Sequence, residues 1–310
     1  MLIEFVVLEN HMSDRECLEI FEKYLAEEKR ASGNTLSSYM RDIRQLGEYL
    51  GENGGHDIAE ATDAELEAYI DFLRDEGKSV STVSRCIASI KCLYTTLCIK
   101  RLIGKNPSLR LTPEKAERHT PDILSKDEVI TLLSAPECID LKGYRDKAML
   151  EVLYATGLRV SELIDLNLSD ADIVSGTLIC RSRGKERVLP MYETAVDSLK
   201  EYIELIRPQM IADAEEEALF VNVSGERMSR QGFWKLLKYY AKKANIDKDI
   251  TPHMLRHSFA VHLLENGADV KSIGQIMGHS DLSSMHVYDS LVSNSVRDAY
   301  NRAHPRARKE

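Results

Sequence analysis

The sequence lacks the features that mark several large classes of protein. Its six cysteines, Cys17, Cys86, Cys92, Cys98, Cys138 and Cys180, include no C-x-x-C pair and no zinc-type spacing. They read as free, mostly buried thiols of a reducing compartment rather than as a disulfide frame. Long apolar runs are missing too: MLIEFVVLENHMSD at the N-terminus is interrupted by Glu4 and has no basic segment before it. It reads as neither a signal peptide nor a membrane span, so a cytoplasmic location is expected. Positive charge is in deficit, with 41 Lys and Arg against 50 Asp and Glu for a formal charge of -9. That argues mildly against a nucleic-acid partner, because phosphates are bound by Lys and Arg. Net charge does not say where the charges sit, however, so local counts carry more weight.

What is present is globular composition, 43% hydrophobic and 29% charged, in 310 residues, room enough for two cores. CLEIFEKYLAEEKR spaces Leu18, Phe21 and Leu25 as a helix does, and ASGNTLSSYMRDIRQLGEYLG opens at Asn34 or Thr35 and closes at Gly51. ATDAELEAYIDFLRDEG and SVSTVSRCIASIKCLYTTLCIKRLIG add two more helices, predicting an all-α four-helix unit over residues 13–108. No acid occurs between Glu76 and Glu114, while Lys78, Arg85, Lys91, Lys100, Arg101, Lys105 and Arg110 all fall there. Segregation of that kind in an acidic chain reads as a surface for a phosphate backbone. The periodicity then stops, and residues 109–122, with two prolines and dense charge, read as a linker.

The second unit, 123–310, is predicted to be mostly helical with one small β element. Ser125 and Glu128 form a capping box, and LKGYRDKAMLEVLYATG is apolar nearly all round, hence central. Gly157 breaks that helix and RVSELIDLNLSD resumes it, which puts Arg159 at the break. GTLICRSRGKERVLPM reads as a hairpin, Thr177–Arg181 and Arg187–Met191, turning at Gly184 with Arg183 and Lys185 at its tip. SRQGFWKLLKYYAKKANI is amphipathic. In TPHMLRHSFAVHLLENG, Thr251 caps and Pro252 suits the first helical position, so His253 and Arg256 share one face at the positive end. His253 and His257 have metal-pair spacing, but Met254 stands where H-E-x-x-H needs its Glu, so no metal site is expected. His257 and His262 read as packing histidines. ADVKSIGQIMGHSD is a short helix capped by Gly278 with His279 at the turn, and Tyr288 falls about two turns into the next helix.

Phosphoryl transfer at a diester needs a nucleophile in line with the leaving oxygen, cations on the non-bridging oxygens, and an acid and a base. Arg159, Arg256, His253, His279, one lysine and Tyr288 would supply every part without a metal or cofactor. Four ordered motifs now make a pattern: A-T-G-L-R-V-S-E-L at Ala155 to Leu163, H-x-x-R-H at His253 to His257, G-H-S at Gly278 to Ser280, and Tyr288 nine beyond His279. Together they strongly resemble the tyrosine recombinases, and within them the Xer branch. The resemblance extends over nearly the whole chain, through NTLSSYMRDIRQL to the closing NRAHPRA.

That resemblance implies a helical, SAM-like core-binding domain and a mostly helical catalytic domain, closing as a C-shaped clamp on double-stranded DNA. It implies a Tyr288 nucleophile forming a 3′-phosphotyrosine, with Arg159, Arg256 and His279 on the phosphate and His253 accepting the proton. It further implies a tetramer on two DNA sites, each built of two inverted half-sites, and a Holliday-junction intermediate. The tetramer is of one chain or shared with a second recombinase, and a DNA translocase stays open as a partner. Xer hairpins read like G-K-G-x-K-E-R, with the catalytic acid at the first lysine; this chain has R-S-R-G-K-E-R. Taken as a turn one residue shorter, it puts Arg183 where that lysine is expected. Arginine is a poor proton donor, with a pKa above about 12, which leaves Lys185 as the better acid and Arg183 as a source of charge. The reading that follows is a Xer-like recombinase acting in chromosome-dimer resolution. The alternatives are an integrase or invertase of a mobile or phase-variable element, and a catalytically silent DNA-binding protein.

Overall fold

The structure, a computed structural model, describes residues 12–114, 122–182 and 184–278. The chain divides into two compact units, Met1–Arg118 and His119–Glu310.

The first unit is four helices: α1 (Asp14–Lys23, running on through a wider turn at Tyr24–Glu28), α2 (Gly33–Asn53), α3 (Asp63–Asp75) and α4 (Val80–Ile99). Each opens on a hydroxyl cap, Ser13, Ser32, Thr62 or Ser79, whose oxygen accepts the N–H three residues on. The second helix therefore starts at Ser32, not at Asn34 or Thr35, because the Thr35 N–H is taken by the Ser32 hydroxyl. Phe21, Ile43, Leu46, Leu66, Ile90 and Tyr94 fill the core. Asp42 is buried within it, held by Arg85 at 2.7 Å and Ser89 at 3.0 Å.

The acid-free stretch is less naked in space than in sequence. Arg85 pairs with Asp42, Lys100 with Glu28 and Arg110 with Asp63. Lys78, Lys91, Arg101 and Lys105 have no ion pair among the described residues. The opening of the expected linker is also packed chain: Pro107–Arg110 form a 3-10 turn, Leu111 is buried, and Glu114 meets Arg74 at 2.6 Å.

The second unit is built around α6 (Leu141–Thr156), which buries residues on every side, including Arg145, Asp146 and Glu151. α5 (Lys126–Ser134) begins with the Ser125–Glu128 capping box, and α7 (Val160–Asp165) follows α6. α7 stops after six residues and passes into a 3-10 turn, Leu168–Asp170, so the longer helix expected here is cut short. The β element is a three-stranded antiparallel sheet, β1 (Ala171–Asp172), β2 (Thr177–Ser182) and β3 (Lys185–Pro190), in that order. α8 (Glu193–Glu201) continues through Tyr202–Ile206 to α9 (Arg207–Met210), a segment with no clear signal in the sequence. α10 (Arg230–Lys243), α11 (Pro252–Glu265) and α12 (Val270–Met277) complete the unit. No helix among the described residues is long and apolar enough to cross a membrane.

Candidate active site

The site grows from the break between α6 and α7. Gly157 ends α6 in the left-handed region at φ 59°, and a Cβ there would lie 2.4 Å from the Phe259 ring. Both the turn and the close approach of α11 call for glycine. The chain then extends to Arg159, whose N–H donates to Glu162 Oε2 at 2.9 Å and whose guanidinium donates to Oε1 at 3.1 Å. Glu162 thus caps its own helix and holds the arginine at the break.

α11 brings the second cation. Thr251 caps it through the Met254 N–H at 3.1 Å, and Pro252 occupies the first turn, where no donor is missed. One turn in, Arg256 is 4% exposed and donates to the Gly157 carbonyl and, at 2.6 Å, to the Met277 carbonyl. Its Nη1 also lies 3.9 Å from Glu162 Oε2. A third guanidinium, Arg187 of β3, grips both oxygens of Glu162 at 2.8 and 3.2 Å and donates to the Ile276 carbonyl at 2.8 Å. Burial pushes the Glu162 carboxyl up, but the hydrogen bond from Arg187, the Arg159 N–H and the two arginine charges outweigh it and hold the group at about 2. It is an anion at neutral pH, and the three arginines converge on it.

Arg159, Arg256 and exposed His253 line one cleft of about 240 Å³. Of the residues singled out in the sequence, the structure brings these three together. Lys185 is not among the lining residues; it is exposed at the start of β3. Arg183, His279 and Tyr288 lie outside the described residues. His262 is buried with Nδ1 2.8 Å from the Tyr154 hydroxyl, the packing histidine its position implied.

The hairpin corrects the sequence register. Ser182 pairs directly with Lys185, so two residues separate the strands, and the second of them, Gly184, has φ 72°. R-S-R-G-K-E-R and G-K-G-x-K-E-R are then equal in length, and the first lysine of the pattern falls on Ser182, not on Arg183. This chain carries a hydroxyl where the resemblance calls for an ammonium.

Several residues of the site were not picked out from the sequence. Glu162 was visible only as the Glu of R-V-S-E-L, three residues after a helix cap, where a carboxylate ordinarily just caps. In the sequence Arg187 stands only as the first residue of the hairpin's second run. Arg230 and Trp234, four apart on α10, line the same cleft, and Lys238 sits 5.5 Å from the centre of the Trp234 ring. Their helix was recognised; the direction of that face was not.

Residues 18–100 match the family described as phage integrase, N-terminal SAM-like domain, and residues 122–294 match the phage integrase family. The chain is 39% identical over 291 residues to tyrosine recombinase XerD of Staphylococcus epidermidis, covering 94% of this chain and 99% of that one. Among solved structures it is similar to XerH recombinase bound to palindromic difH substrate, with a TM-score of 0.73, 18% identity, and 94% and 90% of the two chains covered. A lambda integrase tetramer bound to a Holliday junction gives a TM-score of 0.69 at 20% identity, covering 88% of this chain and 76% of that one. The chain belongs to the phage integrase family, as a tyrosine recombinase of the Xer-like branch.

Proposed function

We propose that this chain recombines DNA at a specific site, with Tyr288 as nucleophile and the cleft of Arg159, His253 and Arg256 as the seat of the scissile phosphate. The observation that carries the reading is the convergence of two guanidiniums and an imidazole on one cleft, with the arginines braced from behind by a buried carboxylate. Guanidiniums fixed before the substrate arrives lose little entropy in gripping the non-bridging oxygens, and they strengthen as charge grows there.

In the proposed step the Tyr288 oxygen attacks phosphorus, the bond to the 5′-oxygen breaks, and a 3′-phosphotyrosine forms. His253 takes the phenol proton, His279 joins the arginines at the phosphate, and Lys185 protonates the leaving 5′-oxygen. One ester is exchanged for another, so the chemistry calls for neither ATP nor a cofactor. A 5′-hydroxyl of the partner duplex then reverses the step, giving a Holliday junction after one pair of exchanges and recombinants after two. Four active sites are required, on two duplexes with two inverted half-sites each. The assembly is a homotetramer or a heterotetramer with a second recombinase, and a DNA translocase stays open as a further partner. Identity of 39% along nearly the full length of XerD favours chromosome-dimer resolution over a mobile-element role.

A nicked half-site, which loses its 5′-hydroxyl product by diffusion, should trap a covalent protein–DNA adduct. No adduct on cognate DNA, or an undiminished one with Tyr288→Phe, defeats the catalytic reading. Lys185→Ala should slow cleavage except on a substrate with a 5′-thiol leaving group, which needs no acid. Normal cleavage by that variant removes Lys185 from the role.

A further inference from the structure

Arg187 occupies a position that no role in the reaction yet explains. It is the third residue of β3, with its side chain 15% exposed, and its guanidinium makes three hydrogen bonds at once. Two nitrogens close on both oxygens of Glu162, and the third donates to the Ile276 carbonyl at the end of α12. A Cβ on Gly278, which turns the chain at φ 66°, would sit 2.8 Å from Arg187 Nη1. The last turn of α12 is thus closed by two arginines: Arg187 on the Ile276 carbonyl and Arg256 on the Met277 carbonyl. A helix C-terminus attracts cations for its unsatisfied carbonyls, so the arrangement fits the local electrostatics. The same two arginines meet again at Glu162, together with Arg159.

We infer that Arg187 is a positioning residue for strand cleavage, which locks Glu162 under Arg159 and Arg256. Among the described residues it is not one of those that line the cleft. Its work is to fix Glu162: a carboxylate held on both oxygens by one planar fork cannot rotate away from the two arginines that do line it. Among the described residues, the groups facing Glu162 are Arg159 at the start of α7, Arg187 on β3, Arg256 on α11 and the Cys180 thiol on β2, which burial pushes up to about 11. Of these only Arg187 reaches beyond Glu162 to α12 while staying out of the cleft. The inference rests on the cleavage reaction proposed above.

The test compares the full-length wild type with Arg187→Gln, Arg187→Lys, Glu162→Gln and the double variant Arg187→Gln/Glu162→Gln. The readouts are DNA binding and adduct formation on a nicked half-site. Arg187→Gln should lower the adduct rate by about 100-fold, as expected when reacting groups are displaced by an ångström, while the dissociation constant for the site moves by less than about 3-fold. Because both changes act through one carboxylate, the double variant should be no slower than Glu162→Gln alone. Loss of Arg187 also releases Glu162 towards the ordinary carboxylate range. The ratio of wild-type to Arg187→Gln rates should therefore widen as pH falls from 7 towards 4.5, and that widening should vanish in the Glu162→Gln background. If Arg187→Gln does not fold, Arg187→Lys decides: it keeps one charge but not the fork, and should cleave about 10-fold slower. Wild-type rates in the folded variants, additive losses in the double variant, or a pH-independent ratio overturn the inference. Absence of an adduct with the wild type would instead overturn the cleavage reaction itself.

Discussion

The buried carboxylate at the centre of the site allows its contribution to stability to be worked out in advance. Glu162 has an ordinary pKa of 4.5 and is held at about 2 in the folded chain. A depressed carboxylate stabilises the fold above its unfolded pKa and loses that contribution as pH falls through the folded one. At about 1.4 kcal/mol per unit, a displacement of this size contributes about 3 kcal/mol at neutral pH. The side chain is only 5% exposed, so solvent screening takes little from that figure. Glu162→Gln should therefore be about 3 kcal/mol less stable than the wild type at pH 7, with about 2 of those 3 gone by pH 3. The assay is urea unfolding followed by tryptophan fluorescence. Trp234 is the single tryptophan and lies in the second unit, so the signal reports that unit alone. Other carboxylates titrate in both proteins and cancel in the difference. A gap that stays constant from pH 7 to pH 3, or no gap at pH 7, would show that the arginines do not hold Glu162 as described.

Three further substitutions probe the frame around it and the hairpin. Gly157→Ala should cost about 2–5 kcal/mol in the same fluorescence assay, combining the left-handed backbone penalty with a Cβ 2.4 Å from the Phe259 ring. It should slow cleavage as well, because the Gly157 carbonyl accepts from Arg256; wild-type stability in this variant would mean that the two helices are not so close. Ser182→Lys, introduced into Lys185→Ala, should recover cleavage of the oxygen-linked substrate, whereas Arg183→Lys in the same background should not. The reverse result would restore the shorter hairpin register.

Local chemistry was legible in the sequence wherever a single residue dictates a single geometry. Ser125 with Glu128, Thr251 with Pro252, and Gly157 and Gly278 were each read correctly because caps and left-handed turns depend on neighbours a few positions away. For α2 the same reasoning points to Asn34 or Thr35, whereas Ser32 is the cap, since a hydroxyl or amide at any of these positions can cap. Contacts across the chain were not legible. Nothing in the spacing tells that Arg85 finds Asp42 forty-three residues away, so a charge-segregated stretch read as more exposed than it is. Arg187 reaches eighty-nine residues to the Ile276 carbonyl, and Glu162 gathers arginines from three elements. Recognising R-V-S-E-L and H-x-x-R-H named Arg159, His253 and Arg256, but the carboxylate that joins the arginines is a property of the fold.

That carboxylate also bears on how a chain with a formal charge of -9 can serve a polyanion. At physiological ionic strength, exposed charges more than about 8 Å apart are largely screened from one another, so a phosphate in the cleft responds to its immediate surroundings rather than to the total. The cleft proposed for it is lined by Arg159 and Arg256, with Arg187 behind them and one carboxylate among the three. Glu162 is needed because guanidiniums brought this close would repel one another and swing apart before any substrate arrived. One carboxylate fixes their directions yet leaves the cluster with positive charge to spare, and a phosphodiester brings the complementary negative charge. Replacing Glu162 by a neutral residue makes the cleft more positive and should still make it a worse catalyst, because orientation is lost as charge is gained. Tighter binding of DNA with slower cleavage is the signature that separates a site organised for transition-state contacts from one that merely attracts phosphate.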